Sequence, residues 1–216
     1  MNKTLHPGPQ ILGISIISLT WMAASLTPTI SCFAGQPMIW KIEEDWEMIV
    51  IEPQPTSNAP QVTFYTSPST ETDSTYFQLQ MNYAADVGYS AGGFHVAAVR
   101  GESILDEARS KDQSVLSISG DAIHWTSVMA LVNHKLLFAV KDGYSSQWGH
   151  FGGPEYLVEM PSLSIHDLDG YSPDQSLDTV DVGFGGNRIS SVTLRRVRVF
   201  YSNGQVSTLE LNSVAN

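Results

Sequence analysis

The sequence predicts an all-β protein built as a single antiparallel β-sandwich. Apolar residues alternate with period two along many short runs, turn residues interrupt those runs about every 8–12 positions, and helical periodicity is scarce. About a dozen such runs without crossover helices pack as antiparallel sheets, face to face.

The first run is "KIEEDWEMIVI" (41–51). Ile42, Glu44, Trp46, Met48 and Val50 share one face, with Trp40 in phase; Lys41, Glu43, Asp45, Glu47, Ile49 and Ile51 share the other. "EPQPTSNAP" (52–60) carries three prolines and reads as a surface loop. In "STYFQLQMNY" (74–83), Phe77, Leu79, Met81 and Tyr83 face one way and Gln78, Gln80 and Asn82 the other. "GGFHVAAVRG" (92–101) is a small-residue strand entered through glycines. "ESILDEARSKDQ" (102–113) fits either a helix or a strand with a polar loop. "VLSIS" (115–119), "IHWTSVMAL" (123–131), "KLLFAVKDG" (135–143), "YLVEM" (156–160), "VTLRRVRVF" (192–200) and "VSTLEL" (206–211) complete the strands.

Residues 1–34 are set apart as a secretory signal peptide. An apolar run of 16 residues, "ILGISIISLTWMAASL", precedes a small polar stretch with Cys32 and Ala34 at the −3 and −1 positions of a cut. The run is shorter than the roughly 20 apolar residues a span needs, so no membrane span is expected after cleavage. Residues 35–216 then form one domain, secreted to the periplasm or the extracellular space, without a cysteine. A lipoprotein cut before Cys32 is the competing reading. With 22 acidic against 11 basic residues, the formal net charge is −11. Such a surface repels phosphate backbones and speaks against nucleic acid as a partner.

"WTSVMALVNHKLLFAVKDG" (125–143) is a hairpin signal. Trp125, Val128 and Leu131 lead into a turn at Asn133-His134, Leu136, Phe138 and Val140 return, and Asp142-Gly143 reads as a second tight turn. This segment resembles the central hairpin of concanavalin A-like, laminin-G-type jelly rolls. "LRRVRVFYSNG" (194–204) is similar to the last strand of those domains. From "WKIEEDWE" through "QWGHFGG" to "NRISSVTLRRVRVFY" the chain also resembles a group of uncharacterised secreted bacterial proteins. The jelly-roll resemblance implies a fold, a concanavalin A-like jelly roll, and it implies that the first strand lies beside "VTLRRVRVFY" (192–201), which is matched to the last strand of those domains. Arg196 and Arg198 would then come within ion-pair reach of Glu43, Asp45 or Glu47.

Three residue sets are candidates for chemistry. Glu43, Asp45 and Glu47 resemble the E-x-D-x-E strand of endo-β-glucanases of the laminarinase and lichenase kind. That resemblance implies Glu43 as nucleophile, Glu47 as acid/base and Asp45 as the tuning group. Against it, residues four apart on a flat strand lie roughly 13 Å apart, whereas a retaining pair needs carboxyls about 5–5.5 Å apart. The competing reading is a solvated acidic face.

"DGYSSQWGHFGGPEY" (142–156) gathers Tyr144, Trp148, His150, Phe151 and Tyr156 on a glycine-rich stretch. These are the candidate ligand-binding residues, since planar rings on a loop stack against sugar rings. The competing reading has Trp148 and Phe151 closing one end of the core.

"HDLDGYSPDQSLDTVD" (166–181) concentrates acids, and Asp167, Asp169 and Asp174 are the candidate Ca²⁺ ligands. The spacing is not an EF-hand, and a solvated loop is the competing reading. The histidines show no zinc spacing. Gly88-Tyr89-Ser90-Ala91-Gly92 fits a nucleophile elbow in letters, but a strand follows it rather than a helix, so it reads as a turn. No cofactor is expected, Ca²⁺ being the one metal left open.

The function expected from these residues is a secreted, non-catalytic binding or cell-envelope-associated module with extracellular carbohydrate as its ligand class. The alternatives are a glycoside hydrolase of the endo-β-glucanase kind using Glu43 and Glu47, and a structural surface protein without a small ligand.

Overall fold

The computed structural model describes residues 37–70, 75–83, 92–110 and 114–215. The signal-peptide segment and the Ser90 motif up to residue 91 lie outside them. Gly35–Asn216 forms one compact unit.

In chain order the strands are β1 (Ile39–Val50), β2 (Val62–Thr66), β3 (Thr75–Met81), β4 (Phe94–Arg100), β5 (Ser103–Arg109) and β6 (Ala122–Val132). There follow β7 (Lys135–Ser145), β8 (Gly149–Phe151), β9 (Val158–Pro161), a short helix α1 (Pro173–Asp178), β10 (Asp181–Val182), β11 (Ile189–Tyr201) and β12 (Val206–Val214). They form two antiparallel sheets. The seven-stranded sheet runs β12-β11-β1-β6-β7-β8, with β9 also on β7, and the five-stranded sheet runs β10-β2-β3-β4-β5. The chain is therefore an all-β sandwich, as its patterning predicts.

The core sits between the sheets. Phe77 of β3 stacks on Phe138 of β7 with ring centroids 5.2 Å apart. Phe64 of β2 meets Trp46 of β1 at 5.3 Å and Trp125 of β6 at 4.7 Å, both edge-on. Trp46 and Trp125 are themselves stacked, 6.2 Å apart. A side chain of this size buries roughly 200 Å², worth about 5 kcal/mol at ~25 cal/mol per Å².

The turn at Asn133-His134 is present, with φ of 50° and 62°. It joins β6 to β7 as a two-residue hairpin, the geometry that matches strand twist. The ambiguous 102–113 stretch resolves as strand β5 over Ser103–Arg109. Four details differ from the sequence expectations. Residues 115–119 form no strand, although Leu116 is buried. Asn82 adopts φ 56° just after β3, which breaks the alternation, so Tyr83 lies tilted against the His95 ring, 4.8 Å away, instead of continuing the Phe77 face. Asp142-Gly143 makes no turn, because β7 runs through it to Ser145. The acidic stretch 166–181 is not all loop: Ser172 and Pro173 open α1, and Ser176, Leu177 and Val180 are buried.

Candidate functional site

β1 lies in the middle of the larger sheet, between β11 and β6. From Lys41 onward its odd-numbered side chains form the outer face. Registry sets them in rows. Glu47 stands beside His124 and Thr193, Asp45 beside Thr126 and Arg196, and Glu43 beside Val128 and Arg198. Tyr144 extends the first row and Lys141 the second.

Four register shifts disturb this lattice; one leaves Ser190 as the extra residue at the end of β11, and the other three each turn a larger side chain outward. In β11, Arg195 is the extra residue between Leu194 and Arg196. Leu194 is buried, yet Arg195 and Arg196 both reach carboxylates on the outer face. In β7, two residues oppose Trp125: Asp142, at φ 54°, is exposed, and Gly143 sits over the Phe151 ring. In β1 the extra residue is Trp40, which leaves the core phase expected of it and is exposed beside Phe200. Bulges of this kind re-aim side chains and concentrate near functional sites.

The acidic trio is fully engaged. Glu43 is 4% exposed. Its carboxylate receives Lys41 Nζ at 3.1 Å, Lys141 Nζ at 3.0 Å and Arg198 Nη2 at 2.9 Å. Burial pushes its pKa up, but the lysine hydrogen bonds and charges outweigh it and hold the carboxyl below its ordinary value. Asp45 accepts Arg196 Nε at 2.7 Å, Arg198 Nη2 at 3.1 Å and Thr126 Oγ1 at 2.7 Å. Glu47 pairs with Arg195, and His124 Nδ1 lies 3.4 Å from its other oxygen. The expected pairing of acids with Arg196 and Arg198 is therefore present.

Lys41, Lys141, Arg195, Arg196 and Arg198 are five of the chain's 11 basic residues, and all stand on this face. Glu43, Asp45, Glu47, Asp142 and Glu210 balance them there, although the chain as a whole is strongly acidic. Between the β7 and β11 bulges lies a depression of about 300 Å³, lined among others by Asp45, His124, Thr126, Asp142 and Arg195. Small-ligand sites begin near this size, at about 300 Å³.

The glycine-rich aromatic set is divided by the sheet. Tyr144 and His150, paired across β7 and β8 with ring centroids 5.2 Å apart, are exposed on the outer face beside His124. Phe151 and Tyr156 are buried against Phe94, at 4.3 Å and 5.6 Å. Trp148 packs edge-on to Phe94 at 4.8 Å, and its Nε1 donates to the Ser114 carbonyl at 2.6 Å. These three rings close one end of the core. Only Tyr144 and His150 of the set stand exposed on the outer face.

The three loop aspartates serve backbone donors or a helix. Asp167 Oδ1 accepts the Asp169 amide at 3.1 Å, Asp169 Oδ1 accepts the Ile39 amide at 2.9 Å, and Asp174 lies in the first turn of α1. Among the described residues, no group of three or more His, Cys, Asp or Glu side chains gathers to hold a metal ion.

One residue escaped sequence reasoning. Glu44, between the outer-face acids Glu43 and Asp45, points into the core and is 1% exposed. Its Oε2 accepts Trp46 Nε1 at 3.0 Å and Thr66 Oγ1 at 3.2 Å. Its Oε1 accepts Tyr171 Oη at 2.8 Å and Ser176 Oγ at 2.6 Å. Burial raises its pKa, and the four donors offset this only in part. The one signal available in sequence was a charged residue in phase with Ile42, Trp46 and Met48.

In comparisons with known proteins, no family model matches the chain, and no curated protein matches it.

Proposed function

We propose that the protein is a non-catalytic binding module whose ligand face is the outer face of the seven-stranded sheet, with carbohydrate as the ligand class. The observation that carries this reading is the state of that face. Every carboxylate of the E-x-D-x-E run is held in ion pairs with lysine or arginine, while Tyr144 and His150 stand exposed next to the bulge-lined depression. A neutral patch dense in both donors and acceptors, flanked by a planar ring, matches the hydroxyls and apolar faces of a sugar better than it matches an ion. The ion-paired trio supports binding over hydrolysis, because an acid/base carboxyl has to be free to gain and lose a proton.

The finer fold assignment, a concanavalin A-like jelly roll, belongs to the same proposal. It is supported by β1 lying beside β11, strands from opposite ends of the chain. So does secretion after loss of residues 1–34, supported by the order of the apolar run, the small polar stretch and Ala34.

Calorimetric titration with a panel of neutral oligosaccharides tests the reading. Binding is expected in the wild type, and Tyr144→Ala is expected to lose at least tenfold in affinity at an unchanged melting temperature. No binding across the panel and a glycan array refutes it. A β-glucan hydrolysis assay on wild type and Glu43→Gln separates the alternative: turnover in the wild type that the variant lacks restores the hydrolase.

A further inference from the structure

The two flanks of the sandwich are finished differently. On one flank the edges of the two sheets are stitched together. Asp106 of β5 accepts the Glu159 amide of β9 at 2.9 Å, and Arg100 of β4 donates to the Pro161 carbonyl at 2.6 Å. The edge strands there carry protective residues: Asp106, Glu107 and Arg109 on β5, Glu159 and Pro161 on β9. β8 and β10 are three and two residues long, too short to template another strand.

β12 is more sparsely protected along its first half. It is nine residues long, among the described residues pairs only with β11, and contains neither lysine nor proline. Val206 and Leu209 are about half exposed, at 53% and 48%. Its only charge, Glu210, faces Arg196 of its own sheet at 3.9 Å. The strand is regular from Val206 to Glu210, and a bulge follows at Asn212, φ 51°.

The direction of its free backbone groups follows from the hairpin. The Tyr201 amide donates to the Gln205 carbonyl at 3.0 Å, so odd-numbered residues of β12 bond to β11. Val206, Thr208 and Glu210 therefore turn their N–H and C=O groups away from the sheet.

We propose that β12 is a self-association edge, at which two copies of the chain join their seven-stranded sheets antiparallel about a twofold axis at Thr208. In that register Thr208 pairs with its own symmetry mate and Val206 with Glu210, forming about six backbone hydrogen bonds. A Thr–Thr cross-strand pair is favourable, and no two like charges stand opposite each other. For a chain of net charge −11, an edge that carries a single acid, facing an arginine of its own sheet, is where two copies meet with little repulsion.

Sedimentation velocity over a concentration series tests this on the purified chain, with two variants. Thr208→Pro removes an amide that points outward and leaves the β11 ladder whole. Thr208→Lys brings two ammonium groups together at the axis. A concentration-dependent dimer is expected for the wild type, weakened at least tenfold in both variants at unchanged melting temperature. A wild type that stays monomeric throughout, or a dimer indifferent to Thr208→Lys, overturns the proposal. If Thr208→Pro does not fold, the lysine variant decides alone.

Discussion

Ser176 Oγ donates to Glu44 Oε1 at 2.6 Å, joining residues 132 positions apart. The bond fastens α1 to the central strand of the larger sheet. With Tyr171 and Thr66 it makes a polar knot inside an otherwise apolar core.

That knot sets a pH dependence of known sign. The folded-state pKa of Glu44 is raised, chiefly by burial. The folded protein therefore binds the proton more tightly than the unfolded chain. The Glu44 contribution is fully present below the unfolded pKa and falls away as pH rises through the folded one. Glu44→Gln removes this slope. Its oxygen still accepts from Trp46 and Thr66, and its amide donates to the hydroxyls of Tyr171 and Ser176, which can reverse. The melting temperature of Glu44→Gln minus that of wild type is expected to grow as pH rises from acid to neutral. Glu44→Ala leaves the buried Trp46 N–H unpaired beside a cavity and costs about 3 kcal/mol. A difference that stays flat with pH contradicts this account.

Glu43 has the opposite sign. Burial pushes its pKa up, but Lys141 and Lys41 more than offset it, so the folded value is depressed. Its stabilisation is present above the unfolded pKa and lost as pH falls through the folded one. Glu43→Gln leaves Lys41, Lys141 and Arg198 facing one another, and about 1 kcal/mol of destabilisation is expected at neutral pH. The gap should close on acidification, and denaturant titrations at two pH values measure it.

Gly143 is required by contact, not by backbone conformation. A Cβ there would lie 2.2 Å from the Phe151 ring. Phe151 is packed against Phe94 and has little room to yield. Gly143→Ala is expected to cost about 2 kcal/mol, or about 4–8 °C in melting temperature. An unshifted melt would show that the ring moves aside freely.

Calcium is expected to leave stability unchanged. Asp167 and Asp169 each accept a backbone amide, and Asp174 stands apart in α1. Melting curves with excess Ca²⁺ and with EDTA should superimpose. A rise with Ca²⁺ that EDTA reverses would show a site.

By itself the sequence determined what depends on local alternation. The period-two pattern of Phe77, Leu79 and Met81 placed those side chains in the core, and Asn133-His134 marked the hairpin. The rule that alternate residues share a face also set Arg196 and Arg198 opposite Val197 and Val199. Only the tertiary structure decided the parity breaks and the buried polar group. One inserted residue reverses the face of everything beyond it, and Trp40, Arg195 and Asp142 are such insertions, each fixed by register against a distant strand. Asp142-Gly143 has the letters of a turn, but there β7 continues, with β8 and the buried Phe151 beside it. α1 is too short at six residues to display a period. Alternation sets Glu44 in phase with Ile42 and Trp46, apart from the three acids of the outer face, but says nothing of its partners. Glu44 can be buried because donors from β2, the 171 region and α1 converge on it, and no local pattern records a meeting of residues 44, 66, 171 and 176.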